Sequence, residues 1–265
     1  TINTSADPDK GSYDFANTYG SKGDVTFSGT KKLNNRALKE NEFSFELYDS
    51  EGELLETVTN AADGSYSFAK IEYTDADLDK DEDGQYIETT KTYKVKEKAG
   101  TNSSIAYDPR EYNITVTLKD DGKGGISAVA NPAENTYNFT NTYSTKGEIT
   151  FSGTKTLANR TLTEGEFSFE LYDASGKLLE TVSNAADGSY SFTKLEYTGA
   201  NLDKDADGNY KQTTKTYKVV EKVGSDSSIT YDPKVYEITV TLKDNGLGTI
   251  NTSADPDKGS YDFAN

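Results

Sequence analysis

Two sets of three residues stand where chemistry could occur in this chain: Lys31, Glu97 and Asn141, and again Lys155, Glu221 and Asn265. Each sits in a stretch where apolar and polar side chains alternate, the signature of a half-buried strand. In Asp24–Leu33 the odd positions are Val25, Phe27, Gly29, Lys31 and Leu33, so Lys31 shares the apolar face while Lys32 points away. The second copy reads Ile149, Phe151, Gly153, Lys155 and Leu157, with Thr156 replacing the outward lysine. Tyr93, Val95 and Glu97 line one face of another strand and leave Lys94, Lys96 and Lys98 to water; Tyr217, Val219 and Glu221 repeat that order. Tyr137, Phe139, Asn141 and Tyr143 form a third face, matched by Tyr261, Phe263 and Asn265. Because side chains on a strand point to opposite faces in turn, parity sends one Lys, one Glu and one Asn inward in each set. Burying any of them unpaired is costly, so the three are expected to meet.

Two arrangements satisfy that expectation. One is an ion pair hydrogen-bonded to an amide, or side chains near strand ends that snorkel to water. The other is a reaction. Desolvation lowers the lysine pKa and raises that of the glutamic acid, so both can be neutral. A neutral amine held against an amide carbon is a competent nucleophile. The protonated Glu can polarise the Asn carbonyl and carry the proton to the leaving group. The products are a Lys–Asn amide bond and ammonia.

The strands that must position these residues recur at one period. FANTYGSKGDVTFSGTKKL from Phe15 returns as FTNTYSTKGEITFSGTKTL from Phe139, an offset of 124 residues. FSFELYD at Phe43 and Phe167, YDP at Tyr107 and Tyr231, and VTLKD at Val116 and Val240 keep the same offset. Thr249–Asn265 repeats Thr1–Asn17 letter for letter at 248 residues, twice that period. Fixed-period self-similarity marks a tandem array, and 124 residues suffice for a domain with its own core. The expected organisation is residues 1–19 as the last strand of a preceding repeat plus a joint, 20–143 as a first repeat and 144–265 as a second. Thr1–Asn17 is then an orphan strand whose Asn17 keeps its side-chain amide, and the chain is a slice of a longer filament.

Within one repeat, short strands alternate with turn chemistry. Asp24–Leu33, Glu42–Tyr48, Leu54–Val58, Tyr66–Ile71, Thr92–Lys98 and Tyr112–Lys119 read as strands, before a final pair ending at Tyr143. Asn60-Ala61-Ala62-Asp63-Gly64 and Asp120–Gly125 read as turns, and Tyr73–Tyr86 as an acidic irregular segment. No helical period of useful length occurs, so the fold class is all-β, a sandwich.

Composition removes several function classes. The 265 residues contain neither Cys nor His, which excludes disulfides, Cys-His and Ser-His-Asp nucleophiles and imidazole metal sites. A formal net charge of −17 argues against nucleic acid and anionic membrane as partners. Nothing approaches a transmembrane helix in length. The absence of a signal peptide or wall anchor says nothing about location.

The order GTKKL…EFSFELYD…DGSYSF…TYKVKE…YDPREYNITVTL…FTNTY resembles the streptococcal-type pilin repeat, the CnaB-like domains with intramolecular isopeptide bonds. The resemblance spans both repeats and implies tandem Ig-like β-sandwiches. It also implies that Lys31 of GTKKL joins Asn141 of FTN with Glu97 of YKVKE assisting, and that Lys155 joins Asn265 with Glu221 assisting. The location it implies is the cell surface of a Gram-positive bacterium, anchored to the wall. The 248-residue identity suits a repetitive stalk better than a sortase-polymerised pilin subunit. No cofactor is required, and the expected partners are neighbouring repeats of the same chain.

One further motif is a candidate calcium loop. Asp79, Asp81 and Asp83 with Gly84, and Asp203, Asp205 and Asp207 with Gly208, match the opening of an EF-hand loop. The acidic ligand at position twelve is missing, with Thr90 and Thr214 there instead, and no helices flank the loops. Three function classes remain: a structural stalk, a ligand-binding adhesin module whose 19 tyrosines recognise a host glycan or protein, and an enzyme on external substrate. The lack of His and Cys disfavours the last.

Overall fold

The computed structural model describes residues 17–265, so the orphan strand expected at Thr1–Asn17 lies, but for Asn17, outside the described residues. The first repeat contains β1 (Lys22–Val25), β2 (Ser28–Asn34), β3 (Ser44–Tyr48), β4 (Leu54–Thr59), β5 (Ser65–Ser67) and β6 (Ile71–Thr74). It continues with β7 (Thr89–Glu97), β8 (Ile105–Ala106), β9 (Glu111–Asp120), β10 (Ile126–Asn131) and β11 (Phe139–Tyr143). The second repeat contains β12 (Lys146–Ile149), β13 (Ser152–Thr156), β14 (Ser168–Asp173), β15 (Leu178–Ser183) and β16 (Ser189–Ser191). Then follow β17 (Leu195–Thr198), β18 (Thr213–Glu221), β19 (Val235–Asp244), β20 (Ile250–Asp255) and β21 (Phe263–Ala264). Single-turn 3₁₀ segments at Asp75–Asp77 and Gly199–Asn201 interrupt the acidic stretches. Among the described residues no helix is long and apolar enough to cross a membrane.

In the first repeat a five-stranded sheet, ordered β10-β9-β7-β3-β4, faces a four-stranded sheet ordered β5-β2-β11-β8. β1 pairs with β6 beside them. β2 and β11, nearly the full repeat apart in sequence, run parallel with Phe139 opposite Lys31 and Asn141 opposite Leu33. The second repeat follows this plan except that its smaller sheet is three-stranded, β16-β13-β21, with Phe263 opposite Lys155. Aromatic rings fill the space between the sheets. Phe45 stacks on Tyr66 at 3.8 Å between ring centres and lies 5.6 Å from Phe139. Phe169, Tyr190 and Phe263 repeat the cluster. Each fully buried Phe contributes about 1.5–3 kcal/mol, which lets a chain of modest apolar content hold a core.

The single strand read over Asp24–Leu33 is divided. β1 pairs with β6, and β2 pairs with β5 and β11, so the chain changes sheets at Thr26–Phe27. The Phe27 carbonyl accepts from Phe68 N–H at the crossover, and the Phe27 ring is fully buried. Tyr66–Ile71 divides at the same level into β5 and β6. Parity survives the break: Val25, Phe27, Gly29, Lys31 and Leu33 are all buried, and Lys32 is exposed. Gly29 makes the close pairing of β2 and β11 feasible, since a Cβ there would meet the Tyr137 carbonyl oxygen at 2.0 Å. Gly153 stands in the same relation to Tyr261.

Candidate functional site

The three inward polar residues of each repeat come together between the sheets. β2 delivers Lys31, the adjacent β11 delivers Asn141, and β7 of the facing sheet delivers Glu97. Asn141 is fully buried, and the side chains of Lys31 and Glu97 have no exposure. Gly64, at φ +89°, seats β2 from its other side by accepting a 2.7 Å hydrogen bond from Lys31 N–H. A Cβ at Gly64 would meet the Lys31 carbonyl oxygen at 2.3 Å, so the turn that the sequence places here needs glycine.

The Glu97 carboxylate bridges the two other groups. Lys31 Nζ donates to Glu97 Oε2 at 2.8 Å, and Asn141 Nδ2 donates to Glu97 Oε1 at 2.7 Å. The Phe43 ring centre lies 4.7 Å from Lys31 Nζ. Burial pushes the Lys31 amine down from its ordinary range and pushes the Glu97 carboxyl up, each effect opposed by their mutual hydrogen bond. Both shifts favour the uncharged forms.

Sequence reasoning missed a fourth group. The backbone N–H of Asp108 donates to Asn141 Oδ1 at 2.8 Å. The Asp108 carboxylate accepts from Thr140 N–H at 2.8 Å and from Arg110, tying this turn to β11. Arg110 holds that carboxyl at about 2. The recurrence of Tyr-Asp-Pro at 107 and 231 was the available signal, but a backbone donor carries no residue signature. Glu97 therefore touches the amide nitrogen, and the Asp108 N–H addresses the carbonyl oxygen that Glu97 was expected to polarise.

In the second repeat Lys155 Nζ lies 2.9 Å from Glu221 Oε1 but outside hydrogen-bond geometry. Burial lowers the Lys155 pKa. Asn265 Nδ2 donates to Glu221 Oε1 at 2.8 Å. Asp232 N–H donates to Glu221 Oε2 at 3.0 Å instead of to the asparagine carbonyl. Asn265 Oδ1 is buried without a partner among the described residues.

The acidic loops proposed for calcium keep their carboxylates apart in this structure. Among the described residues no group of three or more acids is placed to hold a metal ion. The carboxylates of Asp79, Asp81 and Asp83 are not gathered, because Asp81 Oδ1 closes a turn by accepting from Asp83 N–H and Gln85 N–H. Lys80 and Tyr86 form a bridge across that turn, with Gly84 at φ +79°. Asp205 does the same work between Asp203 and Asp207, accepting from Asp207 N–H and Asn209 N–H. The EF-hand-like spacing is that of a tight hairpin.

Residues 27–144 and 151–265 each match the family described as Spy0128-like isopeptide containing domain. No curated protein matches the chain in sequence. Among solved structures, the major pilin from Streptococcus pyogenes is 14% identical over 93% of this chain and 97% of that one, with a TM-score of 0.32. The shaft pilin spaA from Lactobacillus rhamnosus GG is 12% identical over 91% of this chain and 98% of that one, at 0.26. The Bacillus anthracis TIE protein is 15% identical over 92% of this chain and 34% of that one, at 0.28. With both repeats matched nearly end to end, the chain belongs to the FctA family of Spy0128-like isopeptide-containing domains.

Proposed function

We propose that the two repeats are structural stalk units of a Gram-positive surface adhesin or pilus, each locked by a self-made Lys–Asn isopeptide bond. The observation that carries the reading is the Glu97 carboxylate held between Lys31 Nζ and Asn141 Nδ2 in a site closed to water. Lys31, neutral through desolvation, attacks Asn141 Cγ. The Asp108 N–H stabilises the charge that develops on Asn141 Oδ1, as an oxyanion donor does. Glu97 takes the proton released by the amine on one oxygen and returns one to the departing amide nitrogen on the other. The Cγ–Nζ bond forms, the Cγ–Nδ2 bond breaks and ammonia leaves. Lys155, Glu221 and Asn265 perform the same step in the second repeat.

The bond joins the first sheet strand to the last across a loop of about 110 residues and cannot be reduced. By chain-entropy reasoning a cross-link of that span stabilises by about 4–5 kcal/mol. It also carries tension between neighbouring parallel strands, through a covalent path that bypasses the sheet hydrogen bonds. A mechanical role follows, at the cell surface. Eight of the 19 tyrosines that could serve a ligand-binding module are instead buried: Tyr66, Tyr73, Tyr137, Tyr143, Tyr190, Tyr197, Tyr236 and Tyr261. The test is the intact mass of the chain. The expected value is the sequence mass less two ammonias; a mass equal to that of the sequence overturns the proposal.

A further inference from the structure

The joint between the repeats is built, and its parts recur. Tyr143, the last residue of β11, is fully buried; its hydroxyl donates to Asp244 Oδ1 at 2.8 Å and accepts from Gly248 N–H at 2.6 Å. One period earlier, Tyr19 makes the same bonds to the first repeat, to Asp120 Oδ1 at 2.8 Å and from Gly124 N–H at 2.9 Å. Tyr210 lies 6.3 Å from Tyr143 between ring centres, and Tyr86 lies 6.3 Å from Tyr19. Yet Tyr19 is 42% exposed.

What covers Tyr143 is a turn of its own repeat gripped by the acidic hairpin of the next. Asn35 leaves β2 at φ +75°, a left-handed conformation that asparagine tolerates. Its Nδ2 donates to the Tyr143 carbonyl at 2.8 Å. Its carbonyl accepts from Tyr210 N–H at 2.9 Å, and its Oδ1 accepts from Lys204 Nζ at 2.7 Å. Arg36 lays its guanidinium 5.1 Å from the centre of the Tyr143 ring and pairs with Glu42, leaving its side chain 11% exposed. The corresponding turn of the second repeat keeps the left-handed asparagine, Asn159 at φ +66°, but its Arg160 side chain is 50% exposed. At the opposite end, Tyr19, Lys80, Gln85, Tyr86 and Asp120 line a groove on the first repeat that no such turn enters among the described residues.

We propose that the Lys–Tyr pair of each acidic hairpin is a repeat-to-repeat clasp whose occupant is the left-handed asparagine turn of the preceding repeat. Lys204 and Tyr210 hold Asn35; the groove at Lys80 and Tyr86 takes the Asn159–Arg160 turn of another copy of the repeat. The contact is head-to-tail and heterologous, so it propagates without closing. The clasp sets one angle between successive repeats, which makes the array a stiff rod. This proposal stands apart from the cross-link, because none of its contacts involves Lys31, Glu97 or Asn141.

The experiment measures residual dipolar couplings for both repeats of the full chain, in wild type, in Lys204→Ala, in the double variant Lys204→Ala/Tyr210→Ala and in Lys80→Ala/Tyr86→Ala. Wild type is expected to align with one shared tensor. The double variant at 204 and 210 is expected to lose it while each repeat keeps its own fold. Lys204→Ala, which alters only a side chain at the joint, is expected to weaken the agreement. The same pair of changes at 80 and 86 perturbs an equivalent hairpin away from the joint and is expected to leave the shared tensor intact. Independent tensors in wild type, or a shared tensor retained in Lys204→Ala/Tyr210→Ala, would overturn the proposal.

Discussion

The two repeats carry the same three inward residues on the same strands, but they hold the asparagine differently. β11 runs from Phe139 to Tyr143, lies between β2 and β8, and continues past Asn141 into the buried Tyr143. β21 spans Phe263–Ala264 and pairs with β13 alone, at the edge of its sheet among the described residues. Among the described residues no strand stands in the second repeat at the position of β8, where Ile229–Thr230 lies outside the sheet. The difference reaches the reacting atoms. Asn141 Oδ1 receives the Asp108 N–H, whereas the Asp232 N–H turns to Glu221 and Asn265 Oδ1 is left without a partner among the described residues. The carboxylate and amine are set by strands that both repeats share. The amide differs with the neighbours of the last strand, which β8 flanks in the first repeat alone among the described residues.

The largest way to break the comparison is to remove the shuttle from one repeat. Glu97→Ala is expected to abolish the ammonia loss of the first repeat and keep that of the second, with Glu221→Ala doing the converse. Lys31→Ala and Asn141→Ala should match Glu97→Ala in mass. Each variant's altered repeat should lose about 4–5 kcal/mol of stability and melt as a separate, earlier calorimetric transition. Two ammonia losses retained in Glu97→Ala would refute the proton shuttle while leaving the bonds in place.

A finer test asks whether the unpartnered Asn265 carbonyl matters. The first repeat is expected to close its bond faster than the second, since an oxyanion donor is worth roughly 10²-fold in rate. Mass spectra taken at intervals after cell-free synthesis read both rates; equal rates would show that the Asp108 donor is idle.

Acid pH sharpens the comparison in the turn that bears this donor. Arg110 holds Asp108 at about 2, below the ordinary value of 3.8, so the folded state favours the ionised form. Its stabilisation is present above the ordinary value and is lost as pH falls through about 2. Glu166, held at about 2 by Arg160, gives the second repeat its own acid-labile share. Melting curves between about pH 4 and pH 2 should therefore show Asp108→Asn flattening the decline of the first repeat and leaving that of the second.

The smallest effects are expected on the solvent side. Lys32→Ala should change neither mass nor melting by more than about 0.5 kcal/mol, because Lys32 is exposed beside the buried Lys31. Calcium should produce no heat on titration and no shift in melting, because Asp81 and Asp205 already serve their own turns.

The sequence by itself determined the tandem plan, the all-β class and the inward face of Lys31, Glu97 and Asn141. Those features are local: a period of two assigns faces, and a period of 124 residues assigns repeats. It did not divide Asp24–Leu33 into β1 and β2, because the crossover depends on Phe68 meeting Phe27 from another part of the chain. Nor did it show that the acidic spacing closes a hairpin, or that this hairpin grips Asn35. The tertiary structure alone decided that β2 and β11 lie side by side, that Glu97 faces the amide nitrogen and that Asp108 N–H faces the amide oxygen. Each of these rests on backbone groups and on residues tens of positions apart, whose meeting is set by how two sheets pack rather than by any pattern along one strand.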